Sequence, residues 1–142
     1  MKREEVKERI VRSEQGGKEM KRTHEDLRVY KAGMELVKEI YEITKAFPKE
    51  ELYGITGQIR RAAVSIVANI AEGAARGSRK EFIHFLNISR GSLSEVEALI
   101  DVSHMIGYIN DDIKDQLKNK SADVSSLLSG LINSIRKRLK SE

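Results

Sequence analysis

The stretch QIRRAAVSIVANIAEG, residues 58–73, decides the fold of this chain. In a helix at about 100° per residue, its polar stripe falls within an arc of roughly 80°. The stripe consists of Gln58, Arg61, Ser65, Asn69 and Glu72. Most other positions are apolar or small, whereas a surface helix usually combines one apolar stripe with a broad polar face. We therefore predict that this helix is buried on more than one side.

The polar stripe and two residues of a later helix make up the first candidate site: Gln58, Arg61, Ser65, Asn69, Glu72, Ser92 and Glu95. In one interpretation Arg61 pairs with Glu95 or Glu72, and the uncharged members complete a buried polar network that specifies helix register and partner choice. In the other interpretation these residues line a cleft or a ring pore that binds a ligand. The sequence leaves both open, and neither requires catalysis.

Three further helices flank this stretch. Apolar residues at steps of three and four predict a helix over residues 26–47, stopped by Pro48. The capping-box sequence SRKE, residues 78–81, opens a helix that reaches Ile106, and Asn110 caps the last helix. Four long amphipathic helices with short connections predict an all-α fold, an up-down-up-down antiparallel four-helix bundle.

The glycines raise three expectations. Residues 73–77, GAARG, are expected to end the second helix with a glycine in the left-handed conformation. Gly91 lies inside the third helix, where glycine is destabilising, so we predict a close approach between helices there. The segment KEELYGITG, residues 49–57, stays ambiguous because each of its two glycines weakens a helix by about 1 kcal/mol.

Length and composition narrow the class of protein. The 142 residues suffice for one domain with a real core. The absence of Cys excludes a disulfide framework, a thiolate metal site and a cysteine nucleophile. No apolar run approaches the length of a membrane span, and the N-terminus lacks the apolar core of a signal peptide. We therefore expect a cytoplasmic protein without membrane association.

Residues 1–22 are expected to form an N-terminal extension, flexible or partly helical, of a bundle domain that spans residues 23–142. They are rich in charge and are interrupted by two adjacent glycines. Residues 16–20 can be encoded by purine-rich DNA that resembles a bacterial ribosome-binding site, so we hypothesise that translation starts at Met20. Intact-mass analysis of the natively expressed protein tests this, and a product that begins at Met1 contradicts it.

Three segments of the chain resemble one known family: DLRVYKAGMELVKEIYEIT at 26–44, FPKEELYGITGQIRRAAVSIVANIAEG at 47–73, and GSLSEVEALI at 91–100. That family is the four-helix-bundle proteins associated with intervening sequences of bacterial 23S ribosomal RNA genes. The specific motif is Ser65, residues 69–73, Gly91, Ser92 and Glu95. The resemblance implies a bacterial bundle that assembles as a homopentameric ring. It also implies kinship with the pentameric accessory variability protein of diversity-generating retroelements, which engages nucleic acid and a reverse transcriptase.

Basic residues form a second candidate site, for nucleic acid: Arg60, Arg76, Arg79, Lys80, Arg136, Lys137, Arg138 and Lys140. The net charge of +4 permits an acidic partner without demanding one. A ring would repeat the patch, and phosphate contacts add steeply. Aromatic residues near it are few, so backbone or shape recognition fits better than base stacking. The alternative is that these residues are solvated faces and cations favoured at a helix C-terminus.

A carboxylate-x-x-His pattern occurs twice, at residues 81–84 and 101–104. Such pairs bind metal in di-iron bundles. Both copies lie on one helix, about 30 Å apart at 1.5 Å per residue, so they cannot meet in one protomer. We expect no metal site and no cofactor.

The sequence thus predicts a non-enzymatic, self-associating bundle that binds RNA or DNA, or a nucleic-acid enzyme, through its basic surface. The alternative is a structural homo-oligomeric adaptor with protein partners. A weaker alternative is a ribonuclease of the HEPN class, in which Arg and His residues of two protomers cleave RNA. Arg79 and His84 have the spacing of that class, although Lys80 stands where the class has a smaller polar residue.

Overall fold

The computed structural model describes the chain over residues 24–140, and its side chains from Arg28 onward. The predictions for an extension at residues 1–22 and for a start at Met20 lie outside the described residues. The described part contains four α-helices and no strand: α1 at His24–Thr44, α2 at Ile55–Ala75, α3 at Arg79–Met105 and α4 at Asp111–Lys140. The ambiguous segment forms a short 3-10 helix at Lys49–Glu51, followed by the first turn of α2.

Side-chain caps define the starts of α3 and α4. Ser78 Oγ accepts a hydrogen bond from the backbone N–H of Glu81 at 3.0 Å, as the capping box predicts. Asn110 Oδ1 accepts one from the backbone N–H of Ile113 at 2.9 Å. Gly107 has a φ of 86° between these two helices, a conformation that glycine adopts without steric cost. Both predicted caps are confirmed.

Helix α1 ends three residues earlier than its apolar periodicity predicts. The backbone N–H of Phe47 donates to the carbonyl of Thr44 at 3.1 Å, which closes a turn directly after the helix. This turn places the Phe47 ring in the core, 7% exposed, with its centroid 5.1 Å from that of Tyr108. Phe47 therefore continues the apolar pattern of α1 because its ring belongs to the core, although the residue itself lies after the end of the helix.

Each helix packs against two others: α1 and α3 both contact α2 and α4. Where α1 meets α4, later residues of α1 contact earlier residues of α4. Glu35 pairs with Lys120, and Glu39 accepts a hydrogen bond from Gln116 at 2.8 Å. The fully buried core draws on all four helices, with Leu36, Ile40, Ile59, Ile66, Ile70, Phe82, Leu86, Ile100, Leu117, Leu128 and Leu131 as its largest members. Burial of one such side chain contributes about 1.5–3 kcal/mol, so this core is the main source of stability.

The close approach between helices occurs at Gly73 instead of Gly91. A Cβ on Gly73 would lie 2.8 Å from the Cβ of Phe85 and 2.9 Å from the ring of Phe82, so only glycine lets α2 and α3 pack here. Gly91 is exposed, and a Cβ at its position would meet no atom within 4 Å in the described chain. The left-handed end predicted for α2 is also wrong, because Gly73 is helical and Arg76 after the helix is extended.

No helix in the described residues is long and apolar enough to cross a bilayer.

Candidate functional site

Three uncharged members of the predicted polar site meet between α2 and α3. The hydroxyls of Ser65 and Ser92 lie 2.8 Å apart. Asn69 Nδ2 donates to Ser65 Oγ at 3.0 Å and to the Ser65 carbonyl at 2.8 Å. All three side chains are half-buried. This polar trio joins α2 to α3 by hydrogen bonds, as the structural interpretation predicts.

The charged members do not join that network. Glu72 pairs with Arg76 at 2.8 Å, one turn along the same helix. Arg61 is exposed, forms no ion pair within residues 28–140, and lies over Gly57, where a Cβ would come within 2.9 Å of its Nη1. Glu95 is exposed as well, so the predicted pairing of Arg61 with Glu72 or Glu95 is wrong. Arg61 and Glu72 are eleven residues apart, about 16 Å along one helix, which is too far for a direct pair.

Gln58 is also exposed, so the predicted network is neither complete nor fully buried in a single chain. Apolar and small residues flank the polar trio and stay uncovered. Val64 on α2 is 40% exposed and Ile88 on α3 is 38% exposed, while Ala68 and Gly91 beside them are exposed too. We call Val64, Ala68, Ile88 and Gly91 the α2–α3 face. Within a single chain α1 and α3 cover only the other part of α2, so the prediction that α2 is buried on more than one side is not met on this flank by the chain alone.

Seven of the eight predicted nucleic-acid residues fall near one end of the molecule. Lys118 on α4 pairs with Asp101 at 2.9 Å and donates to the Glu97 carbonyl at 3.4 Å, which sets the register between α3 and α4. Arg79 lies as many residues before Asp101 on α3 as Lys140 lies after Lys118 on α4. Arg79 and residues 136–140 are therefore about equally far along the bundle from this pair. The turn that carries Arg76 therefore lies at the same end as the C-terminus of α4.

The charges divide the bundle into two halves. Residues 24–34, 66–91 and 126–140, which we call the basic half, contain ten Lys and Arg against four Asp and Glu. Residues 35–65 and 92–125, the acidic half, contain eight Lys and Arg against twelve Asp and Glu. The modest net charge of the whole chain thus hides a strong polarity along the bundle.

The cations of the basic half differ in how they are engaged. Arg76 pairs with Glu72 and lies 5.0 Å over the Phe85 ring. Arg138 is half-buried and donates to the Ser134 hydroxyl at 3.1 Å. Among the predicted residues, four others are exposed and form no ion pair with the described residues: Lys80, Arg136, Lys137 and Lys140. These four supply positive charge that the described part of the fold does not use.

Arg60 does not belong to this group. It lies sixteen residues before Arg76, about 24 Å away along α2 at 1.5 Å per residue. Its Nε donates to Thr44 Oγ1 at 2.9 Å, and its guanidinium carbon lies 4.6 Å over the Tyr41 ring. The basic residues expected to form one patch around α2 therefore lie at two separate places, Arg60 at one and the other seven at the other. The sequence gives no sign of this contact, because Arg60 and Thr44 lie sixteen residues apart on different helices.

The histidines have separate surroundings. His84 is exposed and packs edge-on against Phe85, with 5.3 Å between the ring centroids. His104 Nε2 lies 2.6 Å from Asp111 Oδ1 across the α3–α4 turn. Among the residues that the structure describes, no group of three His, Asp or Glu side chains is placed to hold a metal ion.

Comparison with known proteins adds the family to these observations. The profile of the family described as 23S rRNA-intervening sequence protein matches residues 25–130. No curated protein matches the sequence. A crystal structure of a protein with unknown function from the S23 ribosomal protein family, from Bacteroides thetaiotaomicron, is similar with a TM-score of 0.72 and 28% sequence identity. The match covers 77% of this chain and 98% of that chain, and it confirms the predicted resemblance.

Proposed function

Because the chain belongs to the 23S rRNA-intervening sequence protein family, we propose that it is a non-enzymatic, self-associating bundle that binds nucleic acid through its basic half. The observation that carries the proposal is the surplus of cations at one end of the molecule, ten against four. The contacting residues are Arg76, Arg79, Lys80, Arg136, Lys137, Arg138 and Lys140. Arg60 lies outside this surface. We place the protein in the cytoplasm, where nucleic acid is accessible.

The proposed assembly is a homopentameric ring of up-down-up-down antiparallel bundles. The order of contacts along α1 and α4 supports the antiparallel arrangement. The α2–α3 face supports self-association, because Val64 and Ile88 expose apolar surface around the polar trio. A head-to-tail interface closes into a five-membered ring when neighbours are related by one fifth of a full turn without translation along the axis. Gly91 would let another backbone approach this face closely.

Binding through the basic half is proposed to use phosphate contacts. Exposed Lys and Arg side chains neutralise phosphates and release counterions, which makes the affinity fall with salt. Aromatic side chains suited to base stacking are few in this half, so shape and backbone recognition fit best. A ring would present the basic half of every protomer to one nucleic acid.

Fluorescence anisotropy of labelled RNA and DNA, single-stranded and duplex, between 50 and 200 mM salt tests the binding proposal. We expect the logarithm of the association constant to fall linearly with the logarithm of salt concentration, with a slope of about −0.9 per contacted phosphate of duplex DNA. An affinity that is absent at low salt contradicts the proposal. Cleavage of the RNA that His84→Ala abolishes would indicate the nuclease alternative.

The assembly proposal has its own test. Ile88→Glu places a charge on the α2–α3 face and should shift the mass in solution to that of one chain, since an unpaired carboxylate resists burial. Ile106→Glu is the matched control, because Ile106 is an exposed apolar residue directly after α3 and outside that face. Equal masses for the two variants contradict the proposed interface.

A protein-binding adaptor is the second candidate, and one observation favours it. Large apolar side chains are exposed at the acidic end, with Tyr53 92% exposed and Met105 76% exposed. Exposed apolar side chains that are grouped at one end of a molecule are typical of protein contact surfaces. Assembly without any affinity for nucleic acid is the outcome that this candidate predicts.

A further inference from the structure

A cavity of about 250 Å³ lies where the connection between α1 and α2 folds against the start of α2. Its lining consists of Thr44, Lys45, Phe47, Pro48, Lys49, Leu52, Thr56 and Arg60. All three charged lining residues are cations, although the surrounding half of the bundle is acidic. The remaining lining combines two hydroxyl side chains with an apolar wall. This composition suits an anion with a small apolar part.

Arg60 is held in place before any ligand arrives. Its Nε donates to Thr44 Oγ1 at 2.9 Å, and that hydroxyl in turn donates to the Ile40 carbonyl at 2.7 Å. The Tyr41 ring supports the guanidinium from one side, 4.6 Å from its carbon. These contacts use Nε and leave the two Nη groups without a partner among the described residues. A fixed guanidinium with free Nη donors has the geometry that binds an oxyanion through two parallel hydrogen bonds.

Thr56 provides an independent indication of a ligand. It lines the cavity in the first turn of α2, it is 4% exposed, and its buried hydroxyl has no hydrogen-bond partner in the described structure. A buried hydroxyl without a partner costs about 1–3 kcal/mol, so such groups usually have one.

The nearby carboxylates lie outside the cavity lining. Glu42 contacts Lys45 at 3.4 Å on the outer surface. Glu51 accepts a hydrogen bond from the Tyr108 hydroxyl at 2.8 Å, away from the cavity lining. The carbonyls of Ile43 and Thr44 at the end of α1 accept from the backbone N–H groups of Ala46 and Phe47. Carboxylates are absent from the described lining, and although Glu42 pairs with Lys45 from outside it, Arg60 and Lys49 form no ion pair with the described residues.

We propose that this cavity binds the phosphate group of a small organic phosphate, with Arg60, Lys45 and Lys49 as the cations and Thr56 as a hydrogen-bond donor. Three cations match a phosphate dianion better than a singly charged carboxylate. The organic part lies against Phe47, Pro48 and Leu52. The volume is below the roughly 300–1,000 Å³ of pockets for drug-sized ligands, which favours one phosphate with a short substituent. The site is separate from the basic half and does not depend on the function proposed for it.

Titration of phenyl phosphate and of inorganic phosphate into the full chain, followed by ³¹P NMR and calorimetry in phosphate-free buffer, tests the site. We expect saturable binding of both, tighter for phenyl phosphate. Arg60→Gln should weaken binding about tenfold or more, because hydrogen bonds to charged groups contribute on that order. Arg61→Gln is the matched control: Arg61 carries the same charge one residue away and does not line the cavity. Equal losses in the two variants overturn the proposal.

Thr56→Val distinguishes the cavity from a surface contact of Arg60. It removes the hydroxyl without changing the shape much, so we expect weaker phosphate binding and a higher melting temperature of the unliganded protein. Binding that is unchanged in Thr56→Val, or that stays undetectable at millimolar phosphate in the wild-type chain, overturns the proposal. If Arg60→Gln does not fold, Arg60→Lys replaces it, because it keeps the charge and loses the planar pair of donors.

A competition experiment identifies the source of the phosphate. A short RNA oligonucleotide is added to the protein loaded with phenyl phosphate. Displacement of phenyl phosphate from the wild-type chain, together with weaker binding of the RNA by Arg60→Gln, assigns the site to a phosphate of a nucleic-acid strand. Retention of phenyl phosphate assigns it to a free small molecule, and either result supports the phosphate site.

Discussion

The two halves of the bundle use their charges in opposite ways. In the acidic half, ion pairs join different helices, Lys118 with Asp101 and Lys120 with Glu35, and a hydrogen bond joins His104 with Asp111. In the basic half, Lys80, Arg136 and Lys137 are exposed and form no ion pair with the described residues. The interhelical ion pairs Lys118–Asp101 and Lys120–Glu35 thus lie in the acidic half, whereas in the basic half Arg76 pairs with Glu72 on its own helix and several cations are left to solvent. The difference indicates which end of the molecule has charge to offer a partner.

The largest effect is expected from removing cations of the basic half. Arg136→Gln combined with Lys137→Gln should lower the salt slope for duplex DNA by about 2 and weaken binding roughly tenfold to a hundredfold, because each lost phosphate contact contributes about 0.9 to the slope. Anisotropy titrations over a range of salt concentrations measure both quantities.

The acidic half supplies the matched control for that experiment. Lys38→Gln combined with Lys114→Gln removes the same net charge from the other end and should leave the slope unchanged. If the two double variants lose affinity equally, binding follows net charge alone, and the division into halves has no functional meaning.

A smaller effect, on the free energy of unfolding, is expected from replacing two glycines. Gly73 lies at the contact between α2 and α3, and Gly91 lies on the open α2–α3 face. Gly73→Ala should destabilise the chain by about 1–3 kcal/mol, because the added methyl meets Phe85 and Phe82 in a packed interface. Gly91→Ala should stabilise the dissociated chain by roughly 0.5–1 kcal/mol, since its position is open and helical. Urea unfolding at low protein concentration measures both changes. Changes of the same sign would contradict the packing described here.

The smallest effect concerns an ion pair of the acidic half. The hydrogen bond from Lys118 holds the pKa of Asp101 below its usual 3.8. A carboxyl whose pKa is lowered by folding contributes stability above its unfolded pKa, and loses that contribution as the pH falls through the folded value. The Asp101 side chain is 55% exposed and solvent screens the pair, so the contribution is about 0.2–1 kcal/mol.

Asp101→Asn should therefore be less stable than the wild type at pH 7, and the difference should shrink as the pH falls below 3.8. Urea unfolding of both proteins between pH 7 and pH 2.5 measures the difference. A difference that does not change with pH would show that the charge of Asp101 does not contribute.

The sequence predicts those features that depend on neighbours along the chain. Residues 78–81 and Asn110 identify their helix starts because a cap bonds to a backbone group three residues away. The contact between Ser65 and Ser92 is predictable because both residues lie on the polar side of adjacent helices. The four helices follow from apolar periodicity in the same way.

Features that depend on distant partners were missed for a physical reason. Periodicity shows that Gly73 and Gly91 are helical or near a helix end, but it cannot show which one faces the Phe82 and Phe85 rings. Arg60 and Arg61 are adjacent and chemically identical in the sequence. A rotation of about 100° along α2 directs one to Thr44 and the cavity, and leaves the other exposed over Gly57.

Light scattering coupled to size exclusion, with and without a mixed pool of RNA and DNA, tests the central claim most directly. The account predicts a peak at five times the 16.1 kDa of one chain that gains nucleic acid. A peak of that size without nucleic acid would favour the protein-binding adaptor. A peak at the mass of one chain, with no nucleic acid bound, would contradict both the proposed ring and the proposed function of the basic half.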